Sequence, residues 1–103
     1  MTTNKNILDS AIRTISSQSN SIAKLIDFLD DNFPDAVRKI FQTKGRIVVT
    51  GIGKSAIIAQ KIVATFNSTG TPALFMHASE AIHGDLGMVK DDDTVICISK
   101  SGN

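Results

Sequence analysis

The pattern of apolar residues divides the chain at Gly45. Before this glycine, apolar residues recur every three or four positions, which is the spacing of one helix face. This stripe is made of Leu8, Ala11, Ile12, Ile15, Ile22, Leu25, Ile26 and Leu29. The polar run 16–21 interrupts it, so the pattern over 4–31 predicts either a bent helix or two shorter ones.

A second helix is predicted to begin at Pro34, because proline suits the first helical position. Gly45 is predicted to end it as a left-handed cap residue. Little in residues 1–44 could cover the apolar stripe. This helical front therefore either packs on the structure that follows or joins a partner subunit.

After Gly45 the pattern changes to short, almost unbroken apolar runs, which predict buried strands. These runs cover 46–50, 72–77 and 94–99. A helical spacing over 55–68 predicts a crossover helix that Gly70 and Pro72 end, and 79–83 predicts a short helical turn. The order is typical of an α/β fold with a parallel sheet flanked by helices on both faces, a Rossmann-like three-layer arrangement.

Composition narrows the function classes. The net charge is +1 and charged residues make up 20% of the chain, so no nucleic-acid partner is expected. The sequence shows neither a membrane-spanning run nor a signal peptide, which predicts a cytoplasmic protein with no membrane partner. The single cysteine, Cys97, cannot form a disulfide within the chain and is predicted to be a small buried apolar residue.

Each predicted strand is followed by residues that can carry chemistry. The first loop is 51–55, the second is 77–85 and the third is 99–103. Ligands of open parallel sheets bind beyond the carboxyl ends of the strands, so the three loops are expected to meet at one edge.

In the first loop, two better-known phosphate motifs fit poorly. A P-loop needs glycine where Val48 stands. A dinucleotide fingerprint fits in form, but the end of the second strand offers no acidic residue for a ribose. What remains is a glycine turn that lets backbone approach a ligand, with Lys54 and Ser55 at a helix start. The alternative is a tight turn with an exposed lysine.

The second loop holds His77, Glu80 and His83, whose spacing lets them converge on a substrate or on a metal such as zinc. Ordinary surface or core histidines are the alternative. The aspartates 91–93 form a charged turn. Such a turn could bind a metal, but a turn exposed to solvent is the expected interpretation.

The third loop is rich in hydroxyl groups. If a helix begins just after Asn103, Ser99, Ser101 and the loop amides would face a phosphate at its N-terminus. A plain turn is the alternative.

Together these motifs resemble the sugar isomerase (SIS) domain family, and within it the arabinose 5-phosphate isomerases. The resemblance is close over 44–103 and is carried by the segments 48–55, 68–72, 77–87 and 99–102. It implies that 1–103 is the N-terminal part of a single SIS domain. In this interpretation 1–44 is a helical front and 45–103 contains the first three strands, with the chain truncated after the third.

The resemblance implies an enzyme that interconverts D-ribulose 5-phosphate and D-arabinose 5-phosphate, supplies Kdo for lipopolysaccharide or capsule, and forms a homotetramer. It assigns Lys54 to catalysis and makes His77 a possible zinc position that the reaction does not need; no cofactor is implied. Residues expected at the substrate are Gly53, Ser55, Gly70, Thr71, His77, His83, Ser99, Ser101 and Gly102.

The chemistry suggests roles for the remaining polar groups. Isomerisation through a cis-enediol needs a base and a cation or donor for the enediolate oxygen. Lys54 and His83 suit the second role, and Glu80 is either the base or a group that orients its loop. Further acid–base candidates of the family lie beyond Asn103, so the 103 residues alone are expected to be inactive. They also leave a long apolar edge strand unpaired, so they are expected to be poorly soluble. A non-catalytic sugar-phosphate sensor and an isomerase for another sugar phosphate are the alternatives.

Overall fold

A computed structural model of the protein describes residues 3–79 and 85–100. Within these residues lie three α-helices, two short 3₁₀ turns and three β-strands. They are α1 (Asn4–Lys24), a 3₁₀ turn (Leu25–Phe28), α2 (Asn32–Phe41), β1 (Ile47–Gly51), α3 (Lys54–Ser68), β2 (Ala73–His77), a second 3₁₀ turn (Asp85–Met88) and β3 (Thr94–Ile98). The chain forms two compact units, one up to residue 35 and one from residue 36.

Helix α1 runs without a break. The side chain of Thr3 caps it by accepting a hydrogen bond from the Asn6 N–H at 3.2 Å. The predicted bend at 16–21 is wrong, because serine, glutamine and asparagine weaken a helix only slightly when neither glycine nor proline is present. The helix instead ends at Lys24. None of its residues is buried, and no helix in 3–79 or 85–100 is long and apolar enough to cross a membrane.

Helix α2 begins two residues before the predicted start. The Asp30 side chain accepts a hydrogen bond from the Asn32 N–H at 2.9 Å and so supports the first turn. Pro34 lies within that turn, where its missing N–H costs nothing because the first N–H groups of a helix have no helical acceptor.

Gly45 is not the left-handed cap that the sequence predicted. Helix α2 ends at Phe41, and the glycines with positive φ in the described residues are Gly53 and Gly70. Gly45 is needed for a different reason. A Cβ atom there would lie 2.5 Å from Asp93 Oδ1 and 2.8 Å from the Asp92 carbonyl oxygen.

The three strands form one parallel sheet in the order β2-β1-β3, which confirms the predicted α/β fold. The central strand β1 is buried along its whole length. Its residues Ile47 and Val49 form the core together with Ala59 of α3, and partly buried apolar residues surround them. Ile40 of α2 is one of these.

The two faces of the sheet are covered unequally at the edge strand β3. Ile96 and Ile98 pack against the core, whereas Val95 is 43% exposed. Cys97 shares the outward face with Val95 and is exposed, so the prediction that this thiol is buried is wrong. Alternation along a strand decides the exposure of each residue, and an unbroken apolar run conceals that alternation.

Candidate active site at the carboxyl edge of the sheet

The last residues of the three strands are paired with one another. Gly51 of β1 is paired with His77 of β2 on one side and with Ile98 of β3 on the other. We call this set of three residues the last row of the sheet. Because the loops after β1, β2 and β3 all start from it, they leave the sheet side by side at its carboxyl edge.

Two glycines shape the first loop. A Cβ atom at Gly51 would lie 2.9 Å from the Ser55 carbonyl carbon and oxygen, so a glycine lets the first turn of α3 pack against the end of β1. Gly53 has φ 59° and ψ −130° at the N-cap of α3, a backbone conformation that is accessible essentially to glycine alone.

Lys54 is the first residue of α3 and is exposed, and Ser55 next to it is half-buried. No ion pair or hydrogen bond of the Lys54 side chain occurs within residues 3–79 and 85–100. The first turn of α3 contains no acidic residue. The N–H of Ser55 donates to the Ile52 carbonyl at 3.2 Å and that of Ala56 to the Gly53 carbonyl at 3.1 Å. The positive end of the helix dipole lies at this turn, adds to the charge of Lys54 and favours an anionic ligand.

His77 is half-buried and is held on two sides. The N–H of Ser79 donates to its Nδ1 atom at 3.2 Å, and the hydroxyl oxygen of Ser79 lies 2.7 Å from the same atom. The ring also meets the Phe75 ring edge to face, with centroids 6.1 Å apart and planes at 87°. The imidazole is therefore fixed at Nδ1.

The third loop begins with Ser99, which is exposed and follows the last row directly. Four further predicted site residues lie outside the described residues: Glu80, His83, Ser101 and Gly102. The structure thus brings Gly53, Lys54, Ser55, His77 and Ser99 to the carboxyl edge.

Gly70 and Thr71 are placed elsewhere. They precede β2, so they lie at the amino edge, where the strands begin. Thr71 is six positions before His77, which corresponds to roughly 20 Å along an extended strand. Both residues line a cavity of about 400 Å³ together with apolar residues of α2, among them Ile40 and Phe41. Within one copy of the chain they do not share a ligand with Lys54.

The amino edge also contains the aspartates 91–93. Asp93 Oδ1 accepts from the Arg46 backbone N–H at 2.8 Å, and Oδ2 accepts from the Lys90 N–H at 2.9 Å. Oδ2 also pairs with Arg46 Nη2 at 3.0 Å, and the Asp93 side chain is only 2% exposed. The hydrogen bond from the Arg46 side chain, followed by those from the two backbone N–H groups, holds the pKa of Asp93 far below its usual range.

This carboxylate is thus occupied by protein donors. In the part of the chain that the structure describes, no three histidine, cysteine or acidic side chains are grouped to hold a metal. Asp91 and Asp92 are exposed, as the solvated-turn interpretation expects, whereas the Asp93 side chain is buried and bonded to Arg46 and Lys90.

Two features of the site were not predicted from the sequence. One is the contact of Ser79 with His77, which the His-x-Ser spacing after a strand could have indicated. The other is Thr50, one row before the end of β1, whose buried Oγ1 atom has no hydrogen-bond partner in the described residues. A threonine in a valine-rich strand gives no sign that its hydroxyl lacks a partner.

Comparison with known proteins identifies the family. The SIS domain family model matches residues 39–103. The chain is 48% identical over 97 residues to a protein of Haemophilus influenzae named "probable arabinose 5-phosphate isomerase", covering 94% of this chain and 29% of that protein. It is 43% identical to arabinose 5-phosphate isomerase KdsD of Pseudomonas aeruginosa over 103 residues, covering all of this chain and 32% of that one.

A solved structure agrees with this result. The Escherichia coli CFT073 protein c3406, solved in complex with arabinose 5-phosphate, superposes with a TM-score of 0.88 at 40% identity, covering 95% of this chain and 52% of that chain. The chain thus spans about a third of the length of these two relatives and about half of that solved chain. Fold, motifs and similarity agree, and the chain belongs to the SIS domain family.

Proposed function

We propose that the protein is an aldose–ketose isomerase that interconverts D-ribulose 5-phosphate and D-arabinose 5-phosphate. The observation that carries this proposal is the last row of the sheet: His77 belongs to it, and Lys54 and Ser99 come just after it along the chain. The names of the relatives and the sugar-phosphate complex of the structural neighbour support this substrate pair.

The reaction moves one proton between neighbouring carbons. A base removes the proton from C2 of the aldose, and negative charge develops on the carbonyl oxygen O1. Protonation of that oxygen gives the cis-enediol. Loss of the O2 proton and return of a proton to C1 then give the ketose, so electrons and protons balance without an oxidant or a metal.

The residues of the carboxyl edge suit distinct parts of this reaction. The ammonium group of Lys54, with the N-terminus of α3 behind it, would stabilise the developing enediolate charge. The main chain at Gly53 and Ser55 would approach the sugar. Glu80 and His83 are proposed as the acid–base pair.

The phosphate group needs donors at a distance from the reacting carbons. Ser99, Ser101 and Gly102 in the third loop are proposed to bind it through hydroxyl and amide groups. Gly70 and Thr71 would reach the same sugar phosphate only from a second copy of the chain, because the sheet separates them from Lys54 by its whole length.

We further propose that the protein acts in the cytoplasm, feeds Kdo synthesis for lipopolysaccharide or capsule, and assembles as a homotetramer. The assembly is supported by α1, which has an apolar stripe and no buried residue. Leu8, Ile12, Ile15 and Ile22 of this stripe are each more than half exposed. Light scattering on the whole protein tests the assembly, and a monomeric mass would contradict it.

The decisive experiment is an isomerase assay on the whole protein with D-ribulose 5-phosphate as substrate. Lys54→Ala is expected to lower kcat/KM by about 10²- to 10³-fold, the usual loss when a group that stabilises transition-state charge is removed. Lys61→Ala is the matched control, because it removes the same charge from an exposed position of the same helix. It is expected to leave kcat/KM within about twofold, as surface substitutions away from a site do.

Two results would contradict the proposal. Full turnover by Lys54→Ala would remove Lys54 from the chemistry. Binding of D-ribulose 5-phosphate by the folded protein without any turnover would indicate a sensor module instead.

A further inference from the structure

Ser79 makes two contacts to one nitrogen of His77, and these contacts differ in kind. A backbone N–H can only donate a hydrogen bond, whereas a hydroxyl group can donate or accept. Because the Ser79 N–H is directed at Nδ1 from 3.2 Å, this nitrogen must present its lone pair. A proton on Nδ1 would face the N–H proton directly.

The Ser79 hydroxyl then completes the arrangement. Its oxygen lies 2.7 Å from Nδ1, a short distance for a hydroxyl bonded to a ring nitrogen. With Nδ1 already an acceptor, this hydroxyl donates as well. Neutral imidazole carries a single N–H, so accepting at Nδ1 requires that the proton be on Nε2.

We propose that Ser79 is a positioning residue that holds His77 in the Nε2–H tautomer, so that His77 meets its ligand as a neutral hydrogen-bond donor and not as a metal ligand. In the site described above, the acceptor is an oxygen of the bound sugar phosphate, and this part of the inference rests on the proposed function. The tautomer and its effect on metals do not depend on that function.

The consequence for metals follows from the ligand chemistry of imidazole. A histidine that binds zinc through Nε2 ordinarily donates its Nδ1 proton to a carboxylate, a carbonyl or water. Here Nδ1 faces a backbone N–H that can only donate, so binding zinc at Nε2 with the proton on Nδ1 would cost that hydrogen bond and would force the Ser79 hydroxyl to turn from donor to acceptor. The local arrangement therefore opposes a zinc site at His77, the position for which the sequence suggested one.

The Phe75 ring supports the same orientation. Its edge-to-face contact with His77 restricts rotation of the imidazole about its side-chain bond. A flipped ring would place a carbon beside the two Ser79 donors and leave both without an acceptor. Nε2, on the far side of the ring, has no partner among residues 3–79 and 85–100.

The direct test is nitrogen NMR of the whole protein labelled with ¹⁵N-histidine, recorded at alkaline pH where imidazole is neutral. The His77 signals are assigned by their loss in His77→Asn. The expected spectrum has a protonated, pyrrole-type Nε2 and a bare, pyridine-type Nδ1. An Nδ1–H tautomer in the unchanged protein would overturn the proposal.

Three variants separate the hydroxyl from the rest of the loop. Ser79→Ala keeps the backbone donor but loses the hydroxyl that donates to Nδ1, so the Nδ1–H population should rise. In the unchanged protein, titration with zinc chloride should leave the Nε2 signal of His77 in place. Ser79→Thr restores a hydroxyl and should return the tautomer population to that of the unchanged protein. Ser68→Ala, an exposed serine at the end of α3, is the control. Unchanged tautomer populations in Ser79→Ala would overturn the role of Ser79.

Kinetics connect the tautomer to the proposed function. Ser79→Ala should raise KM about fivefold, the effect of losing one ordinary hydrogen bond, and should lower kcat less than that. If the whole protein has no isomerase activity, the proposed function fails, whereas the tautomer and zinc measurements still decide the inference about Ser79.

Discussion

The two edges of the sheet use polar residues in opposite ways. At the amino edge, Asp93 has three donors directed at its carboxylate, and the arginine among them also donates to the Met88 carbonyl. At the carboxyl edge, Lys54 has no partner in the described residues and His77 is bonded through one nitrogen. The same three strands run from one edge to the other.

This difference separates stability from ligand binding. Polar groups with complete sets of partners hold β1, β3 and the loop before β3 together, and they have little capacity left for a ligand. Groups with unused capacity contribute little to folding and are available to a substrate. Substitutions at the amino edge should therefore change stability, and those at the carboxyl edge should change binding and turnover.

The largest expected effect on stability is at Gly45. Gly45→Ala would place a methyl group against Asp93 Oδ1 and the Asp92 carbonyl, and it should lower the free energy of unfolding by about 3 kcal/mol. Urea unfolding followed by circular dichroism measures this loss. Gly87→Ala is the control, since a Cβ atom there would have nothing within 4 Å. Equal stability of the two variants would show that the amino edge is not closely packed.

A smaller effect is expected for Asp93→Asn, because asparagine keeps one acceptor oxygen. The folded-state pKa of Asp93 lies below its ordinary value of 3.8 through the Arg46 and Lys90 hydrogen bonds. Its contribution to stability is therefore complete above about pH 3.8 and decreases as the pH falls below that value.

Urea unfolding midpoints measured from pH 7 downward test this direction of the pH dependence. The unchanged protein should lose stability below pH 3.8 more steeply than Asp93→Asn does, because the variant has already lost the carboxylate. Asp92→Asn, at an exposed neighbouring position, should behave like the unchanged protein. Parallel curves for all three proteins would mean that the Asp93 contacts do not persist in solution.

The smallest expected effect is a gain in stability when Thr50, next to the carboxyl edge, is replaced. Since its hydroxyl is buried without a partner in the described residues, Thr50→Val should raise the free energy of unfolding by about 1 kcal/mol. Thermal unfolding measures the change, with Thr65→Val as a comparison at an exposed threonine that bonds to the Lys61 carbonyl. A loss of stability in Thr50→Val would reveal a partner for this hydroxyl.

Much of the fold could be predicted because it depends on short-range patterns. β-branched runs predicted β1 and β3, and the glycine, lysine and serine that follow β1 marked one loop of the carboxyl edge. The parallel arrangement then predicted that the loops meet there, and the register of Gly51, His77 and Ile98 shows that the three loops start from neighbouring positions.

The errors share one physical origin, which is that a residue type can serve more than one purpose. Gly45 suggested a helix cap, whereas it is needed because two backbone segments approach closely at this position. The apolar run around Cys97 suggested burial, whereas its face on an edge strand is open. The substrate role of Gly70 and Thr71 is not among these errors and stays a prediction, although the direction of β2, which the motif did not reveal, places both at the amino edge. Long-range neighbours decide each case.

The last row of the sheet also determines which changes of chain length the site can tolerate. An insertion after His77, in the loop, would leave the histidine where it is. An insertion of one residue inside Ala73–His77 would turn the histidine to the opposite face of the sheet and take it out of the last row. Homologous proteins should therefore differ in the lengths of the loops after the strands, whereas the five-residue length of β2 should stay constant.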